Sequence, residues 1–156
     1  MEKKKVLFVC TYNGARSRIA EEFIKRSAPD KIAAHSSCFE SGRIGPLPIN
    51  IMREVGINLS DEAPKSVFER FKNKEVFDYV ITLCNETAKE QCPVFKTNVD
   101  TLYAKKAKRI SWSIPDFKSL SGTEEERKAG ARKIRDRIKS EVISFLTQIG
   151  IDVTMA

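Results

Sequence analysis

Apolar positions along the chain alternate between short unbroken runs and stretches with helical spacing. Residues 5–10 (Lys-Val-Leu-Phe-Val-Cys) are almost wholly apolar, which suits a strand covered on both faces. A polar loop follows, Thr11-Tyr12-Asn13-Gly14-Ala15-Arg16-Ser17. From Ser17 to Ser27 the spacing becomes helical. Ile19, Ala20, Phe23 and Ile24 share one face there, and Glu21, Glu22, Lys25 and Arg26 are expected to face outward. Ser17 is a candidate N-cap.

Residues 31–36 read as a second strand. Pro46 to Val55 reads as a helix that stops before Gly56, and Pro64 to Lys74 as another. Val76 to Cys84 is a third, nearly continuous apolar run, and a short helix is expected before Pro93. Residues 109–114 form a fourth strand. Thr123-Glu124-Glu125-Glu126 is a capping-box pattern. It opens a long helix with Ile134, Ile138, Val142, Phe145, Leu146 and Ile149 on one face.

Buried strands alternating with amphipathic helices predict an α/β fold, a parallel sheet with helices on both faces. Such sheets bind ligands beyond the carboxyl ends of their strands. Cys10, Cys84 and the stretch after Ile114 all fall at strand ends, so they should share one edge.

At 156 residues, and with no repeat or linker rich in Gly, Pro and Ser, residues 1–156 read as a single domain. No apolar run approaches the ~20 residues of a membrane span, and no signal peptide is read at the start. A cytoplasmic location is therefore expected. In that reducing compartment Cys10, Cys38, Cys84 and Cys92 should not form a structural disulfide framework. They lack close-spaced Cys or Cys–His pairs, so no metal is expected. No cofactor is expected either.

The 28 Lys and Arg against 21 Asp and Glu leave a net charge of +7. That surplus fits either a nucleic acid or a small oxyanion. The basic run at residues 105–109 has no interleaved aromatics of the kind single-strand binders use. In the last helix the basic residues mix with Glu126, Asp136 and Glu141. Nucleic acid and membrane are therefore set aside as partners.

The loop from Cys10 to Ser17 supplies what oxyanion chemistry asks for. A thiolate nucleophile is favoured by a helix N-terminus and a guanidinium. A loop wrapped into a helix start aims backbone N–H groups at an anion, and Arg16 can grip two of its oxygens. The candidate oxyanion-binding residues are Thr11, Tyr12, Asn13, Gly14, Ala15, Arg16 and Ser17. The one histidine, His35, lies outside this loop, so a Cys–His pair is not expected. A buried strand-end thiol beside a surface arginine is the alternative reading.

Cys10-x-x-Asn13-x-x-Arg16-Ser17 after an N-terminal strand resembles the phosphate loop of the low-molecular-weight protein tyrosine phosphatases. It equally resembles that of the thioredoxin-coupled arsenate reductases, which share the fold. The likeness runs from Lys5 to about Leu146. It implies a four-stranded parallel sheet, with Cys10 as nucleophile and Arg16 as anion clamp. It also implies a general acid on a late loop, and Asp116 stands four residues after Trp112, the reductase spacing. Phe117 follows it where the reductases have a proline.

Thr82-Leu83-Cys84 and Cys92-Pro93 resemble the reductase motif of a second and third thiol. The resemblance implies that Cys84 attacks Cys10, Cys92 attacks Cys84, and thioredoxin or a similar dithiol protein removes the final disulfide. Seven residues separate these cysteines, where the family pattern has six. Were they helical, the two Cα atoms would lie ~12 Å apart, and a disulfide needs less than ~7 Å. The segment must therefore loop out or unwind. Cys38 is expected to be a bystander. Lys65 disfavours a potassium site near Glu21 and Ser36.

Three functions follow as expectations. The first is reduction of arsenate by a three-thiol relay. The second is phosphotyrosine hydrolysis through a phosphocysteine. The third is a silent oxyanion-binding module.

Overall fold

The computed structural model describes residues 3–12, 15–40, 42–62, 64–84 and 107–153. Asn13, Gly14, Cys92 and the helix expected before Pro93 lie outside them. Four parallel strands form one sheet: β1 (Lys4–Tyr12), β2 (Ile32–Glu40), β3 (Tyr79–Cys84) and β4 (Lys108–Ser113), in the order β2-β1-β3-β4. The chain runs from β1 to β2 on one side and then to β3 on the other. The carboxyl end of β1 is thus a topological switch point, where open α/β sheets bind ligands.

Alternation along β1 explains the two cores. Val6, Phe8 and Cys10 join Ile81 and Leu83 of β3 in the larger one, and Leu7 and Val9 join Val80, Val67 and Phe77 in the smaller. Helices α1 (Ala15–Ser27) and α4 (Glu124–Gln148) pack together on the first face. Helix α2 (Pro46–Arg53) leans on α4, and α3 (Val67–Lys72) contributes Val67 to the second face. Helices therefore cover both faces, as the pattern predicts. Side chains such as Phe8, Ile138 and Phe145 are fully enclosed, each worth roughly 1.5–3 kcal/mol of burial.

The capping box of α4 is formed. The Thr123 hydroxyl accepts from the Glu126 N–H at 3.1 Å, and the Glu126 carboxylate accepts from the Thr123 N–H at 3.4 Å. The basic residues of α4 are partly consumed in packing. Arg132 donates two 2.9 Å bonds to Glu54, and buried Arg135 donates to the Ile51 carbonyl at 2.7 Å.

Several boundaries depart from the expectation. Helix α1 starts at Ala15, so Ser17 is its third residue and not its N-cap. Strand β2 runs on to Glu40 because its polar residues find buried partners. The Ser36 hydroxyl donates to Glu21 at 2.9 Å, and Ser37 accepts from Arg70 Nε at 2.6 Å. Glu21 accordingly faces inward and is buried. It also lies 3.4 Å from Lys25 and 3.7 Å from Arg18, so protein cations already surround it. The stretch before α3 is extended, with Ser66 bridging to Cys38. Val76 and Phe77 precede β3, and Asp78 instead accepts from the Lys5 N–H at 2.8 Å.

Candidate active site

The strand ends deliver the chemistry to one edge. Cys10 ends the apolar run of β1 and is fully enclosed, its Sγ 3.2 Å from the Ser17 hydroxyl oxygen. That hydroxyl lies 3.2 Å from the Ser37 carbonyl, to which it donates. A hydroxyl has one proton. While that proton serves Ser37, the Cys10 S–H donates to Ser17. Once Cys10 ionises, the Ser17 proton can turn to the sulfur.

Burial has the largest influence on Cys10 and raises its pKa above the ordinary thiol value. Arg16 and the hydroxyl and N–H of Ser17 pull the other way, and nearby Cys84 adds to the rise. The expectation of a lowered pKa is thus met by the lowering groups but not by the balance, since dehydration of a buried thiolate outweighs them. The N-terminus of α1, opening at Ala15 just past the loop, favours a negative charge there.

Arg16 is buried, with 1% of its surface exposed. It spans the sheet edge to donate to the Ile114 carbonyl at 2.9 Å, and its other terminal nitrogen lies 3.9 Å from Asp116 Oδ2. Asp116 sits just past β4, where Ile114 and Phe117 are buried beside Trp112. Its Oδ1 accepts from the Lys118 N–H at 3.2 Å and caps a 3-10 turn over Phe117–Ser119. The aspartate is therefore both a turn residue and a neighbour of the arginine.

Cys84 ends β3 and is buried. The register Val9↔Thr82 carries on to set Thr11 beside Cys84, and the Thr11 hydroxyl lies 3.2 Å from its sulfur. The Thr11 side chain thus serves the second thiol. Pleat alternation places Cys84 and Thr11 on the face opposite to Cys10. His35 meets Phe77 edge to face with centroids 5.6 Å apart, and burial lowers its pKa. Among the described residues no three His, Cys, Asp or Glu side chains cluster as metal ligands, and no helix is long and apolar enough to cross a membrane.

The structure thus unites Cys10, Arg16, Ser17, Asp116, Thr11 and Cys84, and it buries Ala15 beside them. Sequence reasoning took Glu21 as outward-facing, and it missed the pairing of Cys10 with Cys38 across β1 and β2. Helical spacing offered the first signal, because Glu21 shares a face with Ser17 and Ile24. The second needs the strand register.

A buried strand with Cys10 near its carboxyl end, a helix that opens with Arg16 in its first turn, and their place at a switch point mark an α/β domain with a candidate oxyanion site at this edge. Residues 5–155 match the low molecular weight phosphotyrosine protein phosphatase family, and the chain belongs to it. It is 32% identical over 145 residues to the arsenate reductase of Bacillus subtilis, covering 93% of this chain and 96% of that one. It is 30% identical over the same length and shares to the arsenate reductase of Halalkalibacterium halodurans. Among solved structures, an arsenate reductase in the phosphate binding state superposes with a TM-score of 0.71 at 29% identity, covering 94% of this chain and 99% of that one.

Proposed function

We propose that the protein reduces arsenate to arsenite with Cys10 as nucleophile, Cys84 and Cys92 as successive thiols, and an external dithiol as reductant. The observation that carries this reading is the second thiol at the oxyanion loop. Cys84 touches Thr11, the residue next to Cys10, and shares the buried edge with Arg16 and Asp116.

Arsenate binds at residues 11–17, against the α1 N-terminus and the Arg16 fork, which Ile114 holds in orientation. The Cys10 thiolate attacks arsenic, and Asp116 gives a proton to the departing oxygen, which leaves as water. The Cys84 thiolate then attacks the Cys10 sulfur. The S–As bonding pair goes to arsenic, which leaves as arsenite, and a Cys10–Cys84 disulfide remains. Cys92 attacks Cys84, frees Cys10 and leaves a Cys84–Cys92 disulfide for thioredoxin or a similar dithiol protein to reduce. Because Cys84 and Cys10 point to opposite faces, the second attack requires the end of β3 to move. This chemistry belongs in the reducing cytoplasm, where resting thiols persist.

The test is arsenate-dependent NADPH oxidation with thioredoxin and thioredoxin reductase. Turnover is expected for the wild type and loss of turnover for Cys84→Ser. Absence of wild-type turnover alongside brisk aryl phosphate hydrolysis refutes the reductase assignment in favour of the phosphatase. Full turnover by Cys84→Ser refutes the relay. Some phosphatase activity accompanies either outcome, because Cys10, Arg16 and Asp116 present the same geometry to a phosphoryl group.

A further inference from the structure

Cys10 has a second thiol neighbour that the proposed relay does not use. In the parallel pairing of β1 with β2, Cys10 lies directly opposite Cys38. Neighbouring strands run about 4.8 Å apart, inside the roughly 4.4–6.8 Å Cα window of a disulfide. Register-matched residues of parallel strands point to the same face. Both cysteines accordingly belong to the larger core, and both are fully enclosed. The contrast with Cys84 is geometric. Cys84 lies on the opposite face and must cross the sheet end, whereas Cys38 already shares the face of Cys10 on the paired strand. The Cys38 Sγ now rests 3.7 Å from the Pro64 carbonyl, a weak contact to give up.

We propose that Cys38 is a second resolving thiol for Cys10, which condenses with it after oxidation by a hydroperoxide and protects the nucleophile from further oxidation. This rests on the reading of Cys10 as the reactive thiol. In the first step the Cys10 thiolate takes the terminal oxygen of the hydroperoxide. The O–O bond breaks, Cys10 becomes a sulfenic acid, and an alcohol or water departs. In the second step the Cys38 sulfur attacks the Cys10 sulfur and the S–O bond breaks. Hydroxide leaves with the Cys38 proton as water, and a Cys10–Cys38 disulfide forms. An external dithiol returns both thiols and is itself oxidised to a disulfide. The neutral sulfenic acid also removes the Cys10 charge, one of the influences that raise Cys38.

The test uses the full chain as a Cys84→Ser/Cys92→Ser double variant, which keeps only Cys10 and Cys38 of the four cysteines. The protein is treated with hydrogen peroxide, its thiols are titrated, and its peptides are weighed. The expected result is loss of both thiols, a Cys10–Cys38 peptide pair lighter by two hydrogens, and recovery of both thiols with dithiothreitol. Loss of one thiol, with Cys10 as sulfinic acid and Cys38 intact, overturns the proposal while leaving Cys10 as the reactive thiol. Loss of neither overturns the reading of Cys10 as well. The same linked peptide is expected as a minor product in peroxide-treated wild type. Adding Cys38→Ala to the double variant is expected to make its loss of aryl phosphatase activity to peroxide irreversible, while the double variant itself recovers with dithiothreitol. Equal recovery of the two overturns the protective role.

Discussion

Replacing Ser17 with alanine removes one of the groups that favour the Cys10 thiolate. The hydroxyl lies 3.2 Å from Cys10 Sγ and is wholly buried, so water does not replace it. A hydrogen bond to a charged group contributes about 1.5–3 kcal/mol, and one between neutral groups about 0.5–1.5. The thiol loses the weaker bond and the thiolate the stronger, a difference of about 1.4 kcal/mol, or roughly tenfold in ionisation. The direction follows from the causes acting on Cys10, where Ser17 lowers and burial raises. Ser17→Ala should therefore be alkylated by iodoacetamide about tenfold more slowly at neutral pH, with its rate-against-pH curve displaced to higher pH. The acid limb of kcat/KM for aryl phosphate should move the same way. The Ser37 carbonyl also loses its 3.2 Å donor, so urea unfolding should show a loss of about 1–3 kcal/mol. An unchanged alkylation curve in a folded variant refutes the role of Ser17 at the sulfur.

Three further outcomes are expected. Asp116→Asn keeps the oxygen that caps the Phe117–Ser119 turn but cannot donate a proton as an acid. Hydrolysis of phenyl phosphate should fall about 10²-fold or more, and that of nitrophenyl phosphate, with its better leaving group, should fall less. Equal losses would count against the acid role. Arg70→Ala strips the donors from Ser37 Oγ at 2.6 Å and the Ser36 carbonyl at 3.0 Å. It should cost about 2–4 kcal/mol in urea unfolding, and a loss below about 1 would show that water repairs the site. Glu54 is held down to about 2 by its bonds to Arg132 and Arg135. Its stabilising contribution is present above the ordinary value near 4.5 and lost as pH falls toward 2. Acid denaturation should therefore be less steep across that window in Glu54→Gln, and superimposable curves would refute the pairing.

The sheet and the edge that carries the site were legible because two signals agreed. Nearly unbroken apolar runs marked β1 and β3, and each ended on a cysteine. The capping box of α4 was legible for a similar reason, being local and self-contained. What escaped was polar and buried. Ser36 and Ser37 read as a strand end, yet β2 continues through them because Glu21 and Arg70 arrive from α1 and α3 to satisfy their side chains. Glu21 read as outward by charge alone, although it sits four residues after Ser17 and three before Ile24, both buried. Arg135 hides on the apolar stripe of α4 because Ile51 and Glu54 of the neighbouring helix receive it. In each case the partner lies far along the chain. No local pattern carries that information.

The same limit applies to the thiols, and it bears on which of them reaches Cys10 first. Strand order puts β1 between β2 and β3, so Cys10 is flanked on both sides. Pleat and register then divide the neighbours: Cys38 shares its face, and Cys84 does not. Geometry alone favours Cys38. Ionisation opposes it, because burial pushes the Cys38 thiol up, to about 12 while Cys10 also bears its charge, and the neutral sulfenic acid relieves only the second influence. A thiol attacks through its thiolate. At neutral pH Cys38 is therefore expected to attack slowly despite its position, and under the proposed relay Cys84 competes with it. Raising the pH should change the outcome of peroxide treatment in the wild type. The share of Cys10 found joined to Cys38 should climb from pH 7 to pH 10, measured against its disulfide with Cys84. A share that stays constant over that range shows that strand-end motion, and not ionisation, decides between the two thiols.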